Sequence, residues 1–264
     1  MEDVFSLFVP HPPIIIEEIG GPHISEVEGT RESLFSLARE LSAGPPDTIV
    51  ISSPHTSGSP GYIGVLTEPH LSGSFGEFGY SSLTYAYEND NELVDEILQS
   101  ADSASTVEPL AQSRLDHGVL VFMDFLAREG CRPKLVVISA IWGKRDAFWE
   151  FGKKLGGILR SREGRYVYVA SGDLSHCTKD GPGRSFHKEG PEFDRKVVEA
   201  VRGNSPQLLM ELDEGFIHRA QQCGLFSFLI GFGVMDGVPA KGEVYSYEDT
   251  FGVGYLVGAI RPAK

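Results

Sequence analysis

The stretch Tyr166–His176, YVYVASGDLSH, passes from a β-strand into a polar segment that ends in a histidine. Its first six residues are mostly apolar, aromatic or β-branched, a pattern typical of a strand that is buried on both faces. The glycine at position 172 and the polar residues after it predict that this strand ends at Ser171. A histidine just beyond the carboxyl end of such a strand lies where α/β proteins bind their ligands.

The same arrangement occurs twice more in the amino-terminal part of the chain. Asp3–Val9 is predicted to be a buried strand, and a proline separates it from His11. Thr48–Ser52 is a second apolar strand, and the motif SPH that follows it ends in His55. Because the carboxyl ends of parallel strands meet at one edge of a sheet, we expect both histidines to lie near His176.

Prolines restrict the backbone beside two of these histidines. Pro10 and Pro12 flank His11, and Pro54 precedes His55. A rigid backbone favours metal binding, because ligand atoms must be held within fractions of an ångström. Neutral imidazole is the commonest protein ligand for zinc, iron, copper and nickel. We therefore predict one catalytic metal ion on His11 and His55. A single histidine of this kind more often only ends its strand, but three at one edge favour a site.

A fourth histidine opens an apolar helix. The motif LDHG at 115–118 begins the predicted helix Leu115–Arg128, with Asp116 as its cap and His117 in its first turn. His117 would then face the site. The alternative is an ordinary polar start to a helix.

Strands and helices alternate along most of the chain. This order predicts a single α/β domain over residues 1–264, in three layers, with a mostly parallel or mixed central sheet and helices on both faces. The further predicted strands are Tyr62–Leu66, Lys134–Ala140, Glu243–Tyr247 and Tyr255–Ile260. The further predicted helices are Ser25–Leu41, Asn89–Gln99, Arg145–Arg160, Gly190–Val201, Pro206–Leu212 and Phe216–Met235.

The segment Glu68–Ser82 lies between these elements and is rich in glycine and serine. It predicts an irregular loop or a hairpin over the site. Its aromatic residues Phe75, Phe78 and Tyr80 either wall an aromatic pocket or pack in the core.

Composition narrows the classes of partner and compartment. The formal net charge of −14 predicts repulsion of nucleic acid and of anionic membrane surfaces. No apolar run approaches the roughly 20 residues that span a bilayer, and Met1–Asp3 lacks the basic region of a signal peptide. We expect a cytoplasmic protein. Its three cysteines do not suggest a disulfide framework.

Short motifs along nearly the whole chain resemble those of one enzyme family. They are PHPP at 10–13, SPH at 53–55, LDHG at 115–118, GDLSH at 172–176, GPEFDR at 190–195 and QCGL at 222–225. In this order they resemble the class III extradiol ring-cleavage dioxygenases. The closest branch is LigB-like and MEMO-like, and includes the AmmeMemoRadiSam-associated proteins encoded beside radical-SAM and AMMECR-type partners.

The resemblance implies a role for each matching residue. His11 and His55 correspond to the metal ligands, His176 to the acid/base histidine, and His117 to a histidine near substrate and oxygen. Asp173 is placed to orient His176 or to support the ligands. The family metal is usually non-haem Fe(II), held by two histidines and one carboxylate.

The third ligand departs from the ring-cleaving pattern. Those enzymes place a Glu-Gly pair at the start of a late helix, where this chain has Gln221-Gln222-Cys223-Gly224. MEMO-like proteins also have Cys-Gly here, so the resemblance assigns Cys223 as the third ligand, with Gln222 as a weaker alternative. A buried inert thiol is the third interpretation. Thiolate also favours zinc or copper as the metal.

Three functions follow as hypotheses. The first is an Fe(II) dioxygenase that acts on a small aromatic substrate with O₂. The second is a MEMO-like metal-binding protein without dioxygenase turnover, and the third is a zinc hydrolase that uses the same histidines. A homodimer is expected from the ring-cleaving relatives.

Overall fold

Ten strands and nine helices are distributed along the residues that the computed structural model describes, which are 4–102, 106–181 and 183–263. Asp3, the predicted start of the first strand, lies outside them. The strands are β1 (Val4–Val9), β2 (Thr48–Ser53), β3 (Ile63–Leu66), β4 (His70–Phe75), β5 (Tyr80–Glu88), β6 (Val107–Leu110), β7 (Lys134–Ser139), β8 (Tyr166–Ser171), β9 (Ala240–Glu248) and β10 (Tyr255–Pro262). The helices are α1 (Glu17–Gly20), α2 (Glu28–Ala43), α3 (Asn91–Gln99), α4 (His117–Arg128), α5 (Arg145–Ser161), α6 (Glu189–Gly203), α7 (Gln207–Met210), α8 (Glu214–Ala220) and α9 (Leu225–Val234).

Eight of the strands form one mixed sheet in the order β6-β3-β7-β2-β8-β1-β10-β9. The central four, β7, β2, β8 and β1, are parallel. Both flanks reverse direction, because β3 is antiparallel to β7 and β10 is antiparallel to β1. The structure therefore confirms the predicted α/β domain with a mixed central sheet.

The register of the central strands brings their carboxyl ends to one level. Val9, the last residue of β1, pairs with Ser171, the last residue of β8. Ser52 of β2 pairs with Ala170 of β8. The segments that follow β1, β2 and β8 consequently leave the sheet side by side.

Helices cover both faces of the sheet. On one face, the Ser6 hydroxyl donates to the carbonyl of Gly231 in α9, and the ring of Phe8 packs against that of Phe228. Phe5 points to the opposite face, as alternation along a strand requires, and Arg261 lies over its ring while bonding Glu40 of α2. The residues of β1, β2 and β8 are buried throughout, which is why their sequences are apolar rather than alternating.

A hairpin, β4–β5, forms a separate two-stranded sheet beside the main one. Its connection, Gly76–Phe78, is one turn of 3-10 helix, and Gly79 ends it in the left-handed conformation. Of the two forms expected for Glu68–Ser82, the structure has the hairpin.

One predicted helix is wrong. Phe216–Met235 is not continuous, because α8 ends at Ala220 and α9 begins at Leu225. Gln221 has a φ of +50° and turns the chain out of the helix. The amide of Gly224 then donates to the carbonyl of Asp173 at 3.0 Å, which ties the break to the segment after β8.

Among the described residues, no helix combines the length and the apolar character that a membrane span requires.

Candidate metal centre

Three donor atoms converge at the carboxyl edge of the central strands. The Nε2 atoms of His11 and His55 lie 3.1 Å apart, and Cys223 Sγ lies 3.5 Å from His11 Nε2. All three ligand atoms are within 4.8 Å of one another. Across the described ranges, no second group of three His, Cys, Asp or Glu ligands is found that could hold an ion.

The distances from His11 Nε2 to the other two donor atoms fit ligands of one ion. Two nitrogens bound at about 2.1 Å, with an angle of about 90–110° at the metal, lie about 3.0–3.4 Å apart. A nitrogen and a sulfur at about 2.1 and 2.3 Å lie about 3.1–3.6 Å apart under the same angles. The His11–His55 and His11–Cys223 distances fall within these ranges. The donor set therefore suits iron, zinc or copper.

His11 is held in the form that a ligand needs. The Ser171 hydroxyl donates to the carbonyl of Gly118 at 2.5 Å, so it accepts a hydrogen bond from Nδ1–H of His11 at 2.9 Å. This arrangement leaves the lone pair of the His11 ring on Nε2. Burial lowers the pKa of His11 to about 4, so the ring is neutral at physiological pH.

The loop that carries His55 is anchored to the start of α4. The amide of His55 donates to the Ser53 hydroxyl at 3.1 Å, and that hydroxyl donates to Asp116 Oδ1 at 2.7 Å. The same oxygen accepts the amide of Gly118, so Asp116 also caps α4, as predicted.

His117, the first residue of α4, faces the two histidine donors. Its ring centroid lies 4.2 Å from that of His55 and 5.5 Å from that of His11. Burial is the main cause that lowers the pKa of His117, so neutral imidazole is favoured there.

Cys223 lies in the break between α8 and α9. The amide of Asp173 donates to its sulfur at 3.3 Å. Burial, and then the negative charge of Asp173, raise the pKa of the Cys223 thiol well above its ordinary value. A bound cation reverses that balance, because it favours the thiolate as a ligand. The side-chain oxygen of Gln222, the alternative ligand, instead accepts the amide of Leu225 at 2.7 Å at the start of α9.

Asp173 and His176 form a pair beside the donors. Asp173 Oδ2 lies 3.9 Å from Nε2 of His176 and 4.0 Å from Nε2 of His11. Nδ1 of His176 is bonded to the carbonyl of Gln221 at 2.5 Å, which turns Nε2 toward Asp173. Burial alone would lower the pKa of His176, but the interaction with the carboxylate of Asp173 and the bond to the Gln221 carbonyl outweigh burial and raise the pKa.

A cavity of about 310 Å³ opens beside His55 and His117. The ring of Phe78, at the tip of the hairpin, lies 5.3 Å from that of His117 and lines the cavity. Glu77 and Arg114 form an ion pair of 2.6 Å in its wall. Phe75, in contrast, is fully buried and packs in the core.

The chain matches the model of one known family. A family model described as the catalytic LigB subunit of aromatic ring-opening dioxygenase matches residues 6–258. The chain belongs to the LigB family. The resemblance to ring-cleavage dioxygenases that the sequence motifs predicted is thereby confirmed at the level of the family.

One relative and one solved structure extend the comparison. A Clostridium acetobutylicum protein named only "Protein CA_C1420" is 28% identical over 260 residues, which cover 94% of this chain and 55% of that protein. The LigB-family chain thus spans about half the length of the curated relative that it matches. The crystal structure of the uncharacterized Escherichia coli protein JW3007 superimposes with a TM-score of 0.60 at 16% identity, covering 97% of this chain and 99% of that one. It shows the shared fold.

The structure brings all six site residues predicted in this LigB-family chain to one edge of the sheet. They are His11, His55, His117, Asp173, His176 and Cys223. Sequence reasoning did not identify the Ser171 hydroxyl or the Gln221 carbonyl, which orient His11 and His176. The position of Ser171 at the end of its strand could have indicated a role beside the site. Nothing in the sequence indicated the role of Gln221, because that role depends on a backbone turn.

Proposed function

We propose that this LigB-family chain is a non-haem Fe(II)-dependent, extradiol-type dioxygenase that inserts O₂ into a catechol-like or related aromatic substrate. The proposal is supported above all by one observation, the convergence of His11, His55 and Cys223 beside the Asp173–His176 pair. Iron(II) would be held by His11, His55 and Cys223 and would supply electron transfer between an aromatic diol and O₂.

His176 is the residue that we propose moves the proton. Its Nδ1–H is committed to Gln221, so the neutral ring has its lone pair on Nε2 and accepts a substrate hydroxyl proton there. The carboxylate of Asp173, at 3.9 Å, stabilises the resulting imidazolium. General acid–base help of this kind is worth about 10²–10⁴-fold in rate.

The cavity beside His55 and His117 is the proposed place for the aromatic ring. Its volume of about 310 Å³ is at the lower end for ligand pockets, which suits one ring. Phe78 offers an aromatic edge, and neutral His117 contributes a polar group without a buried charge.

The test is oxygen uptake by protein purified without oxygen and loaded with Fe(II). We expect consumption of O₂ with at least one catechol, and formation of a ring-opened product that contains both oxygen atoms. His11→Ala is the matched control and should lose both the metal and the uptake. Iron-replete protein that consumes no oxygen with a broad diol panel would contradict the proposal.

Cys223 favours a second candidate, a MEMO-like metal-binding protein without dioxygenase turnover. A thiolate stands where ring-cleaving enzymes have a carboxylate, and it prefers softer metals such as copper or zinc. Metal analysis of the native protein distinguishes these cases. Cys223→Glu should shift the metal preference toward iron. If this variant binds iron no differently from wild type, Cys223 is not a metal ligand.

The substrate, the macromolecular partners and the oligomeric state belong to the same proposal. We propose a small-molecule aromatic substrate with O₂, no nucleic acid or membrane partner, and a homodimer in solution. The net charge of −14 supports the exclusion of nucleic acid. Light scattering on the purified chain tests the dimer.

A further inference from the structure

The start of α6 lies against the segment that carries Asp173 and His176. Glu189, its first residue, pairs with Arg219 of α8 at 2.9 Å. Gly190 follows, and a Cβ atom there would lie 2.6 Å from the Ser175 hydroxyl and 2.8 Å from the carbonyl of Cys177. Only a residue without a side chain allows the helix to approach the segment this closely.

One turn further along α6, Asp194 points into the same contact and is fully buried. Its Oδ1 accepts the backbone amide of Ser175 at 2.8 Å, and its Oδ2 accepts the hydroxyl of Tyr247 at 2.8 Å. Gly254 leaves room for the carboxyl group, because a Cβ atom there would lie 2.0 Å from Oδ2. A carboxyl group enclosed in this way is costly to ionise.

The charges around Asp194 are few. The pKa of Asp194 is raised to about 7, chiefly by burial and to a smaller extent by the negative charge of Asp249. The two hydrogen-bond donors and the positive charge of His176 act in the opposite direction. Among the described residues, no lysine or arginine forms an ion pair with Asp194.

Asp194 bonds the middle of the segment from α6, and Gly254, the residue before β10, bonds it as well. The amide of Leu174 donates to the carbonyl of Gly254, and the amide of Gly254 donates to the carbonyl of Ser175, both at 2.9 Å. The amide of Ser175 donates to Asp194 instead. Ser175 is adjacent to His176, so its position fixes where the histidine backbone begins.

We propose that Asp194 is a positioning residue that fixes Asp173 and His176 beside the donor cluster through the amide of Ser175. It acts at a distance from the donors, because its contacts are with Ser175, Tyr247 and Gly254. Any effect on turnover rests on the proposed role of His176. The placement of Asp173 and His176 does not depend on that role, and it can be measured directly.

The experiment compares the full-length wild type with Asp194→Ala, Asp194→Asn and Tyr247→Phe, all metal-free. Amide hydrogen exchange reports the Ser175 amide, and NMR titration, assigned with His176→Ala, reports the pKa of His176. Asp194→Ala should speed exchange at Ser175 at least tenfold relative to amides in β8. Asp194→Asn should restore protection, because its amide oxygen still accepts the bond.

These variants separate the charge of Asp194 from its hydrogen bond to Ser175, because Asp194→Asn removes only the charge and Asp194→Ala removes both. Asp194→Asn should lower the pKa of His176, since the two groups interact and a carboxylate favours imidazolium. Tyr247→Phe should leave Ser175 exchange within twofold of wild type. Unchanged exchange at the Ser175 amide, or an unchanged His176 pKa, in Asp194→Ala overturns the proposal. If Asp194→Ala does not fold, the same two measurements on Asp194→Leu decide, because leucine keeps the shape of the side chain and lacks the acceptor. Absence of oxygen uptake would contradict only the proposed function.

Discussion

The Ser171 hydroxyl determines which nitrogen of His11 is free for an ion. It accepts from Nδ1 of His11 and donates to the carbonyl of Gly118, and both bonds are buried. Ser171→Ala removes the acceptor, so Nδ1 loses its partner and the ring its fixed orientation. We expect metal affinity to fall about 10–100-fold, as for other partners of metal-binding histidines. Competition with a chromophoric chelator measures this change.

A neighbouring serine provides the control for that prediction. The Ser52 hydroxyl is equally buried but bonds Tyr168 at 2.6 Å, away from the donors. Ser52→Ala should lose some stability and keep its metal affinity. Equal affinities in the two variants would show that the Ser171 hydroxyl does not orient His11.

The raised pKa of His176 gives a pH dependence with a definite sign. If His176 accepts the substrate proton, kcat/KM for oxygen uptake rises with pH as the ring becomes neutral. Asp173 is the group that raises this pKa against the effect of burial. Asp173→Asn should therefore move the rising limb of the profile to lower pH. A limb that stays in place would assign it to another group.

At the scale of elements, the break between α8 and α9 is what brings Cys223 to the histidines. Gln221 adopts a φ of +50°, which costs a residue other than glycine about 1–2 kcal/mol. Gln221→Gly should leave the free energy of unfolding within about 1 kcal/mol of wild type, because relief of strain offsets the greater freedom of the unfolded chain.

The contrasting variant is Gln221→Val, because a β-branched residue is poorly tolerated at positive φ. It should destabilise the protein by more than about 1 kcal/mol and weaken metal binding as the break deforms. Urea unfolding and chelator competition measure both quantities. Equal stability of the glycine and valine variants would mean that the turn contributes little to the fold.

The same break shows where the sequence stops predicting structure. The strand-to-histidine motifs predicted the donors because a buried strand has a short, strongly apolar signal. Phe216–Met235 has apolar residues at helical spacing on both sides of the mainly polar stretch 218–222 and contains no proline, so its sequence favours one continuous helix. The turn forms because the Gly224 amide donates to the carbonyl of Asp173 and the Gln221 carbonyl accepts the amide of His176, both in the segment after β8. Strand β6, four residues that include a proline, is likewise formed by pairing with β3.

At the scale of the whole molecule, parallel central strands were predictable from the alternation of strands and helices, and the reversed flanks were not. Strand direction at the flanks depends on which neighbour each strand meets, as β3 meets β7 and β10 meets β1. The register of the centre, where Val9 pairs with Ser171, is also a tertiary property. This register brings the ends of β1 and β8 side by side, and thereby places the donor residues that follow them close together.

Two buried groups give the metal-free protein opposing dependences on pH. The pKa of His11 is lowered from 6.5 to about 4, so the stability that its neutral form contributes is lost as pH falls through this range. The pKa of Asp194 is raised from 3.8 to about 7, so the stability contributed by its protonated form is lost as pH rises. Between pH 4 and 7 the two trends oppose each other.

Single variants should separate these trends when the free energy of unfolding is measured with chelator present. Relative to wild type, Asp194→Asn should gain up to about 4 kcal/mol as pH rises from 4 to 7, because it removes the cost of ionising the carboxyl group. His11→Gln should lose up to about 3 kcal/mol over the same range, because wild type alone recovers stability as its histidine becomes neutral. Each difference reports the substituted group together with its coupling to its charged neighbours, which are His176 for Asp194 and Asp173 for His11. A difference that does not change with pH would show that the group concerned titrates equally in the folded and unfolded chains.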